Sequence, residues 1–143
     1  MDDKTIPSIV KEVSNEGFAR KLGLKLIDLT PGHAIVEIAP RKDDTNILGM
    51  VHGGAIFSLI DEAFQVSCNS YGTIAVALCV NVVYHSSPEM GLRLRAESTE
   101  IHRSNKTATY EINVTDENGA LIASCQALAY RKKNKLPFLE NKS

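Results

Sequence analysis

Residues 51–70 read VHGGAIFSLIDEAFQVSCNS, and most of the fold can be inferred from this stretch. From Gly53 to about Ser70 its residues are good helix formers without proline, which predicts a helix of roughly 17 residues, ~25 Å long. Its apolar side chains cover an arc of roughly 200°: Ile56, Phe57, Leu59, Ile60, Ala63, Phe64 and Val66. Ser58, Glu62, Gln65 and Asn69 lie opposite. So wide an arc predicts that a sheet wraps around the helix or that a second subunit covers its flank.

The segments on either side of this helix alternate between apolar and polar residues, as β-strands in hairpins do. A shorter amphipathic helix is predicted over about residues 5–21, ahead of a hairpin that turns at Pro31-Gly32. Thr73 to His85 is almost continuously apolar, which predicts a central strand covered on both faces. Further strands follow, with a turn at Glu117-Asn118-Gly119 and a polar tail after about Lys132. We therefore predict one α+β domain spanning residues 1–143.

Composition narrows the classes of function. With 143 residues, 43% of them hydrophobic, the chain can bury a core. Its 16 basic and 17 acidic residues nearly cancel, which argues against nucleic-acid or membrane binding and favours a small-molecule substrate. The three cysteines are unpaired in spacing and lie in apolar segments typical of buried free thiols, and we identify no targeting signal or apolar run long enough for a membrane span. These features predict a soluble cytoplasmic protein.

The glycine pair that opens the long helix is the first candidate site. Free N–H groups and the positive end of the helix dipole meet at Gly53 and Gly54, where the absence of Cβ atoms lets a carbonyl oxygen approach. The pair can therefore bind an oxyanion, although a tight loop-to-helix turn needs glycines too. The neighbouring His52 is a candidate base, but it can equally fix the loop through a hydrogen bond.

Asp61 is the second candidate, at the rim between the apolar and polar arcs. A mid-helix aspartate beside aromatic residues carries a desolvation cost that a role as base or nucleophile explains. A structural ion pair at an interface is the alternative explanation. Glu62, near the middle of the polar arc, is predicted to be an ordinary solvated or salt-bridged residue.

Metal and cofactor sites find no support in the sequence. The four histidines are scattered without helical i, i+4 spacing, and the cysteines lack zinc-ligand spacing. No phosphate-cradling glycine loop or Gly-x-Ser-x-Gly elbow is present. The basic run over residues 131–135 is typical of a solvated tail, although together with Arg103 and Lys106 it can also meet phosphates.

Three segments together resemble a known family: Asn46 through Gly54 (NILGMVHGG), Asp61 in the helix, and Asn81-Val82-Val83-Tyr84 in a strand. They resemble the PaaI-like acyl-CoA thioesterases of the hotdog fold over roughly residues 16–132. That fold, a long helix wrapped by a curved antiparallel sheet, agrees with the predicted order of elements and with the wide apolar arc.

The resemblance implies hydrolysis of acyl-CoA at a site shared between two subunits. It implies that the Gly53 N–H polarises the thioester carbonyl and that Asp61 of the other subunit acts as nucleophile or activates water. It further implies that Asn46 positions water or substrate, that His52 supports the loop and that Gly54 contacts the substrate. We expect coenzyme A to be held by basic side chains such as Arg103 and Lys106, and we expect no cofactor. We expect a homo-oligomer, specifically a tetramer built from two dimers.

One departure from the family and two competing functions stay open. Many relatives carry Ser or Thr on the strand shortly before Asn81, whereas residues 77–80 are Ala-Leu-Cys-Val; Ser86 or Ser87 can compensate. The first competing function is a hotdog module that binds acyl-CoA without turnover. The second is a hydratase, which needs a histidine paired with an acid, and no such pair is close in sequence. Neither the acyl group nor the choice between nucleophile and base is determined.

Overall fold

The protein is described by a computed structural model covering residues 2–140. Its strands are β1 (Lys25–Thr30), β2 (His33–Ile38), β3 (Thr73–Tyr84), β4 (Leu94–Arg103), β5 (Thr107–Asp116) and β6 (Leu121–Lys135). Its helices are α1 (Thr5–Ser14), α2 (Gly17–Leu22), α3 (Gly53–Cys68) and α4 (Pro137–Glu140), with a 3₁₀ turn at Lys42–Asp44. The predicted α+β class is confirmed, as is the long helix flanked by hairpins.

The six strands form one antiparallel sheet in the order β1-β2-β4-β5-β6-β3, and α3 packs against its inner face. Along much of β2, β4, β5 and β6, alternate residues point towards α3 and are buried, as in Ala34, Val36 and Ile38 of β2. The sheet and α3 thereby enclose one hydrophobic core. This is the wrapped helix that the wide apolar arc predicts.

Helix α3 follows the predicted arc with two exceptions. Ile56, Leu59, Ile60, Ala63, Phe64 and Val66 are all buried, whereas Phe57 is 37% exposed. Glu62, predicted to be solvated, is only 5% exposed. Asn69 caps the C-terminal end of the helix, and its side chain accepts a hydrogen bond from the Ala75 amide and donates to the Ala75 and Gln65 carbonyls. Asn69 therefore anchors the end of α3 to the start of β3.

Both ends of the chain differ from prediction. The single helix predicted over about residues 5–21 is two helices, because Glu16 adopts an extended backbone (φ −70°, ψ 118°) between them. The polar tail predicted after about Lys132 is instead ordered structure. There β6 continues to Lys135, which pairs with Thr73, and Leu136 is buried. The alternating pattern is lost in this basic stretch, yet the pairing with β3 continues.

The apolar strand β3 lies at the edge of the sheet rather than in its centre. Among the strands of residues 2–140 it pairs only with β6, and several of its large apolar side chains are exposed: Val76, Leu78, Val83 and Tyr84. Cys79 on the same strand is exposed, contrary to the expectation of a buried thiol, whereas Cys68 and Cys125 are buried. A strand this apolar at an open edge is a surface suited to pairing with another chain. Over residues 2–140, no helix is both long and apolar enough to cross a membrane.

Candidate active site

The loop that leads into α3 is shaped by Asn46. Its Oδ1 accepts hydrogen bonds from the Leu48 and Met50 amides at 2.9 and 3.1 Å. Its own amide donates to the Met50 carbonyl at 2.8 Å, and Gly49 supplies the left-handed turn with φ 76°. The Nδ2 group of Asn46 has no partner within residues 2–140. One end of this side chain therefore holds the loop, and the other end remains a donor.

His52 caps the N-terminus of α3. Its Nδ1 accepts a hydrogen bond from the Gly54 amide at 2.7 Å, and its own amide donates to the Asp44 carbonyl at 2.7 Å. Because Nδ1 acts as an acceptor, the ring proton of the neutral form is on Nε2. This arrangement favours the loop-supporting role over that of a base.

Gly53 and Gly54 differ in whether their backbone N–H is free, because the His52 cap binds only one of them. The Gly54 N–H is occupied by His52, so that N–H offers no donor for the substrate contact predicted at this position. The Gly53 N–H has no hydrogen-bond partner among the residues described, and it lies at the positive end of the helix dipole. It is therefore the donor of this turn that a ligand oxygen can take.

Neither the backbone conformation nor the packing of residues 2–140 requires glycine at position 53. The residue does not have a positive φ, and an added Cβ would make only ordinary contact with the Tyr84 ring, at 3.6 Å or more. The Tyr84 hydroxyl donates to the Gly53 carbonyl at 3.2 Å, a contact that sequence reasoning missed and that links the end of β3 to the start of α3. An alanine would therefore fit at position 53, and what this position offers to a substrate carbonyl is the free N–H.

Asp61 borders a cavity between α3 and β3. The cavity has a volume of about 240 Å³, and its other lining residues are Phe64, Gln65, Cys68, Asn69, Ala75, Val76 and Ala77. Partial burial raises the pKa of the Asp61 carboxyl above its ordinary value, and the negative charge of Glu16 raises it further. Asp61 follows Gly53 by eight residues, or ~12 Å along the helix axis. Within one chain, these two groups therefore cannot contact the same carbonyl.

The prediction that Glu62 is an ordinary solvated or salt-bridged residue is wrong, because Glu62 is buried and forms no ion pair among the described residues. Gln65 Nε2 donates to Glu62 Oε1 at 3.3 Å and to the two carboxyl oxygens of Glu16 at 3.2 and 3.3 Å. Burial raises the pKa of Glu62 to about 9, and Glu16 and Asp61 contribute to the shift. Sequence reasoning misses this role of Glu62 because Glu16, at the bend between α1 and α2, is distant from it in sequence.

The buried cysteines do not compete with Asp61 as nucleophiles. Burial raises the pKa of Cys68 to about 12 and that of Cys125 to about 11, so neither forms an appreciable amount of thiolate near neutral pH. Of residues 77–80, where the resemblance implies an assisting hydroxyl, Ala77 lines the cavity, and the Ser86 hydroxyl donates to the Leu121 carbonyl. Asp61 is therefore the candidate for the nucleophile or base at this cavity.

The residues predicted to bind coenzyme A, Arg103 and Lys106, lie near the C-terminal end of α3, away from Gly53. The Arg103 guanidinium stacks on the Tyr71 ring at 3.7 Å and lies 3.9 Å from a Glu100 oxygen. Tyr71 follows the C-terminal end of α3, whereas Gly53 opens that helix. Lys106 is exposed in the neighbouring turn. The structure of one chain thus does not bring Arg103 and Lys106 to Gly53.

A histidine–acid pair of the kind that a hydratase needs does exist, but not at this site. His33 Nε2 lies 2.7 Å from Glu97 Oε2 across β2 and β4. Their buried neighbours Ala34 and Ala96 face α3, so the pair is on the opposite face of the sheet. Within residues 2–140, no cluster of three or more His, Cys, Asp or Glu side chains is arranged to hold a metal ion.

Comparison with known proteins identifies the family. Residues 48–123, just over half of the chain, match the sequence model of the thioesterase superfamily. Acyl-coenzyme A thioesterase PaaI of Escherichia coli is 29% identical over 82% of this chain and 84% of its own length. Human acyl-coenzyme A thioesterase 13 is 25% identical over 84% and 89%, respectively.

Solved structures agree with the sequence match. The structure of the E. coli PaaI protein superimposes with a TM-score of 0.87, covering 92% of this chain and 96% of that one. A mutant of phenylacetic acid degradation protein PaaI from Thermus thermophilus is 36% identical, with a TM-score of 0.79 and coverage of 82% and 100%. This chain belongs to the thioesterase superfamily, as a PaaI-like member with the hotdog fold.

Proposed function

We propose that this protein hydrolyses acyl-CoA thioesters to the free acid and coenzyme A. The observation that supports this proposal most directly is the Gly53 N–H at the start of α3, which has no partner among the described residues. Asp61 on the same helix and the match to the thioesterase superfamily add to it. Two of the relatives are acyl-CoA thioesterases by name, and they align along most of their length. A donor for a carbonyl oxygen and a carboxylate of raised pKa are the two groups that thioester hydrolysis needs.

The active site forms between two copies of the chain that pair through β3. Tyr84 at the end of β3 contacts Gly53, whereas Ala75 and Ala77 near its start line the cavity of Asp61. Antiparallel pairing of two β3 strands about a two-fold axis puts the start of one beside the end of the other. Gly53 of the second copy then approaches Asp61 of the first. The same pairing brings Arg103 to the end where that Gly53 lies.

Exposed apolar side chains support this pairing. Val76, Leu78 and Val83 lie on the open edge strand, and Ile47 and Leu48 extend from the loop before α3 with 101% and 70% exposure. A single chain that leaves so many apolar groups in water is typical of a subunit. We further propose that two such dimers form a tetramer, and that the three free cysteines place the protein in the reducing cytoplasm.

In the proposed reaction, the Gly53 N–H stabilises the oxyanion that develops on the thioester carbonyl. Asp61 attacks the carbonyl carbon or takes a proton from the attacking water. If Asp61 attacks, the C–S bond breaks to leave a mixed anhydride, which water then hydrolyses; if Asp61 takes a proton, water attacks the carbonyl directly. On either route the proton that water gives up passes to the departing sulfur, so the products are the free acid and the thiol of coenzyme A. Asn46 Nδ2 positions the water or substrate, and His52 holds the loop. Arg103 and Lys106 bind the phosphates of coenzyme A.

A hotdog module that binds acyl-CoA without turnover is the alternative function. A panel of short-chain, medium-chain and aromatic acyl-CoA substrates, with release of thiol followed over time, separates the two. Hydrolysis of any member, abolished in Asp61→Asn, supports the enzyme. Binding of acyl-CoA without thiol release across the panel contradicts it.

A further inference from the structure

The carboxyl groups of Glu16 and Glu62 both accept hydrogen bonds from the side-chain amide of Gln65, which lines the same cavity as Asp61. The Gln65 side chain donates to Glu62 on α3 and to Glu16 at the bend between α1 and α2. Glu62 is 5% exposed, and its Oε2 has no donor within the described part of the chain. An ionised carboxylate this deeply buried needs more than one donor, because each unsatisfied oxygen carries a desolvation cost.

The surrounding charges disfavour ionisation of Glu62. On α3 the nearest titratable neighbour is Asp61, and α1 contributes Glu12, which lines a groove together with Glu16 and Gln65. Within residues 2–140, no Lys, Arg or His forms an ion pair with Glu16 or Glu62 by their side chains. The basic residue of α2 closest in sequence, Arg20, is exposed. Two adjacent carboxyls without a counter-ion share a proton rather than ionise together.

We propose that Glu62 and Glu16 hold one proton between them, carried by Glu62 and donated to Glu16, and that the remaining charge on Glu16 makes it a positioning residue that tunes Asp61. The shared proton explains how Glu62 Oε2 can be buried without a donor: a protonated oxygen is itself a donor. The shared proton also links Glu16, at the bend between α1 and α2, to Glu62 on α3, the residue that follows Asp61.

The effect on Asp61 rests on the proposed function. A single negative charge on Glu16 keeps the pKa of Asp61 raised, in the direction that burial already sets. A carboxylate with a higher pKa is a better proton acceptor near neutral pH. The sharing of the proton itself does not depend on catalysis and can be tested in the unfolding equilibrium.

The unfolding test compares the wild type with Glu62→Gln, which imitates the protonated group. The pKa of Glu62 is raised from 4.5 to about 9, so between these values the folded protein holds a proton that the unfolded chain releases. Stability of the wild type therefore falls as pH rises through this window. Relative to Glu62→Gln, its unfolding constant should rise about tenfold per pH unit between roughly pH 6 and 8. Glu12→Gln, in the same groove but outside the cluster, is the matched control and should run parallel to the wild type.

Parallel curves for the wild type and Glu62→Gln would overturn the shared proton. Should Glu62→Gln not fold, infrared spectroscopy of the wild type decides. A carboxylic-acid C=O band that persists at neutral pH and disappears at alkaline pH supports the proposal, and its absence at neutral pH overturns it.

The activity test measures kcat/KM against pH on the acid side of the profile, the acid limb, where the rate falls as Asp61 is protonated. Glu16→Gln should move that limb to lower pH, because it removes the charge that raises the pKa of Asp61. Glu16→Asp keeps the charge and should restore the limb towards the wild-type position, whereas Glu12→Gln should leave it in place. A limb that does not move in Glu16→Gln overturns the tuning of Asp61. A wild type without any thiol release instead contradicts the proposed function, and leaves the unfolding test unaffected.

Discussion

Replacing Gly53 by proline removes one N–H donor at a position where proline fits. Gly53 is the first residue of α3, where the amide has no partner within the helix and proline is favoured. The preceding His52 has φ −66° and ψ 137°, the extended conformation that a residue before proline prefers. Gly53→Pro should therefore fold, with a change in the free energy of unfolding of no more than about 1 kcal/mol.

The loss of activity should be much larger than the loss of stability. Removing one donor to a developing oxyanion costs a factor on the order of 10² to 10³ in kcat, or about 2.7–4 kcal/mol. Steady-state thiol release measures kcat and KM, and thermal unfolding checks the fold. We expect kcat to fall with little change in KM, because the contact strengthens in the transition state.

Gly53→Ala is the matched control for this substitution. It keeps the N–H, and its Cβ meets the Tyr84 ring at only 3.6 Å, an ordinary contact. We expect Ala to retain most of the activity that Pro loses. A folded Gly53→Pro with near-normal kcat, or an Ala variant as inactive as Pro, would refute the assignment of this N–H as the oxyanion donor.

Further predictions concern the carboxylate, the acid limb, the coenzyme and metal ions. Asp61→Asn should fold and bind acyl-CoA while kcat falls by a factor on the order of 10² to 10⁴, and normal turnover would contradict its role. In the wild type, kcat/KM should fall as pH drops through the pKa of Asp61, which is raised above the ordinary 3.8; a limb at or below that value argues against Asp61. Arg103→Met should raise KM at unchanged kcat, with no such change for acyl thioesters that lack the phosphates. A chelator should leave the rate unchanged, and a loss restored by zinc would contradict a metal-free site.

The parts of the fold that could be predicted are those encoded by local periodicity. The 3.6-residue spacing around Leu59 and Phe64 identifies α3, and its width predicts the enclosing sheet. The same periodicity predicts a break only after residue 21, however, and the extended backbone at Glu16 has no strong turn signal besides Gly17. Local patterns thus identify the elements better than their ends.

The errors concern contacts between distant segments. Residues 73–85 are apolar enough for a central strand, but β3 lies at the edge of the sheet, because β4 and β5 pair between β2 and β6 and no local pattern encodes that strand order. Glu62 projects into the polar arc of α3, yet the bend at Glu16 folds over it. The difference between Gly53 and Gly54 depends on one side-chain hydrogen bond to His52, which no periodicity reveals.

Complementation between two inactive variants tests the shared active site most directly. Gly53→Pro and Asp61→Asn each retain the group that the other lacks. When equal amounts are coexpressed, half of the dimers are mixed, and each mixed dimer contains one site with both groups intact. We expect thiol release to recover to about one quarter of the wild-type rate. A mixture that has formed mixed dimers but remains as inactive as its parents would contradict a site built from Gly53 of one subunit and Asp61 of the other.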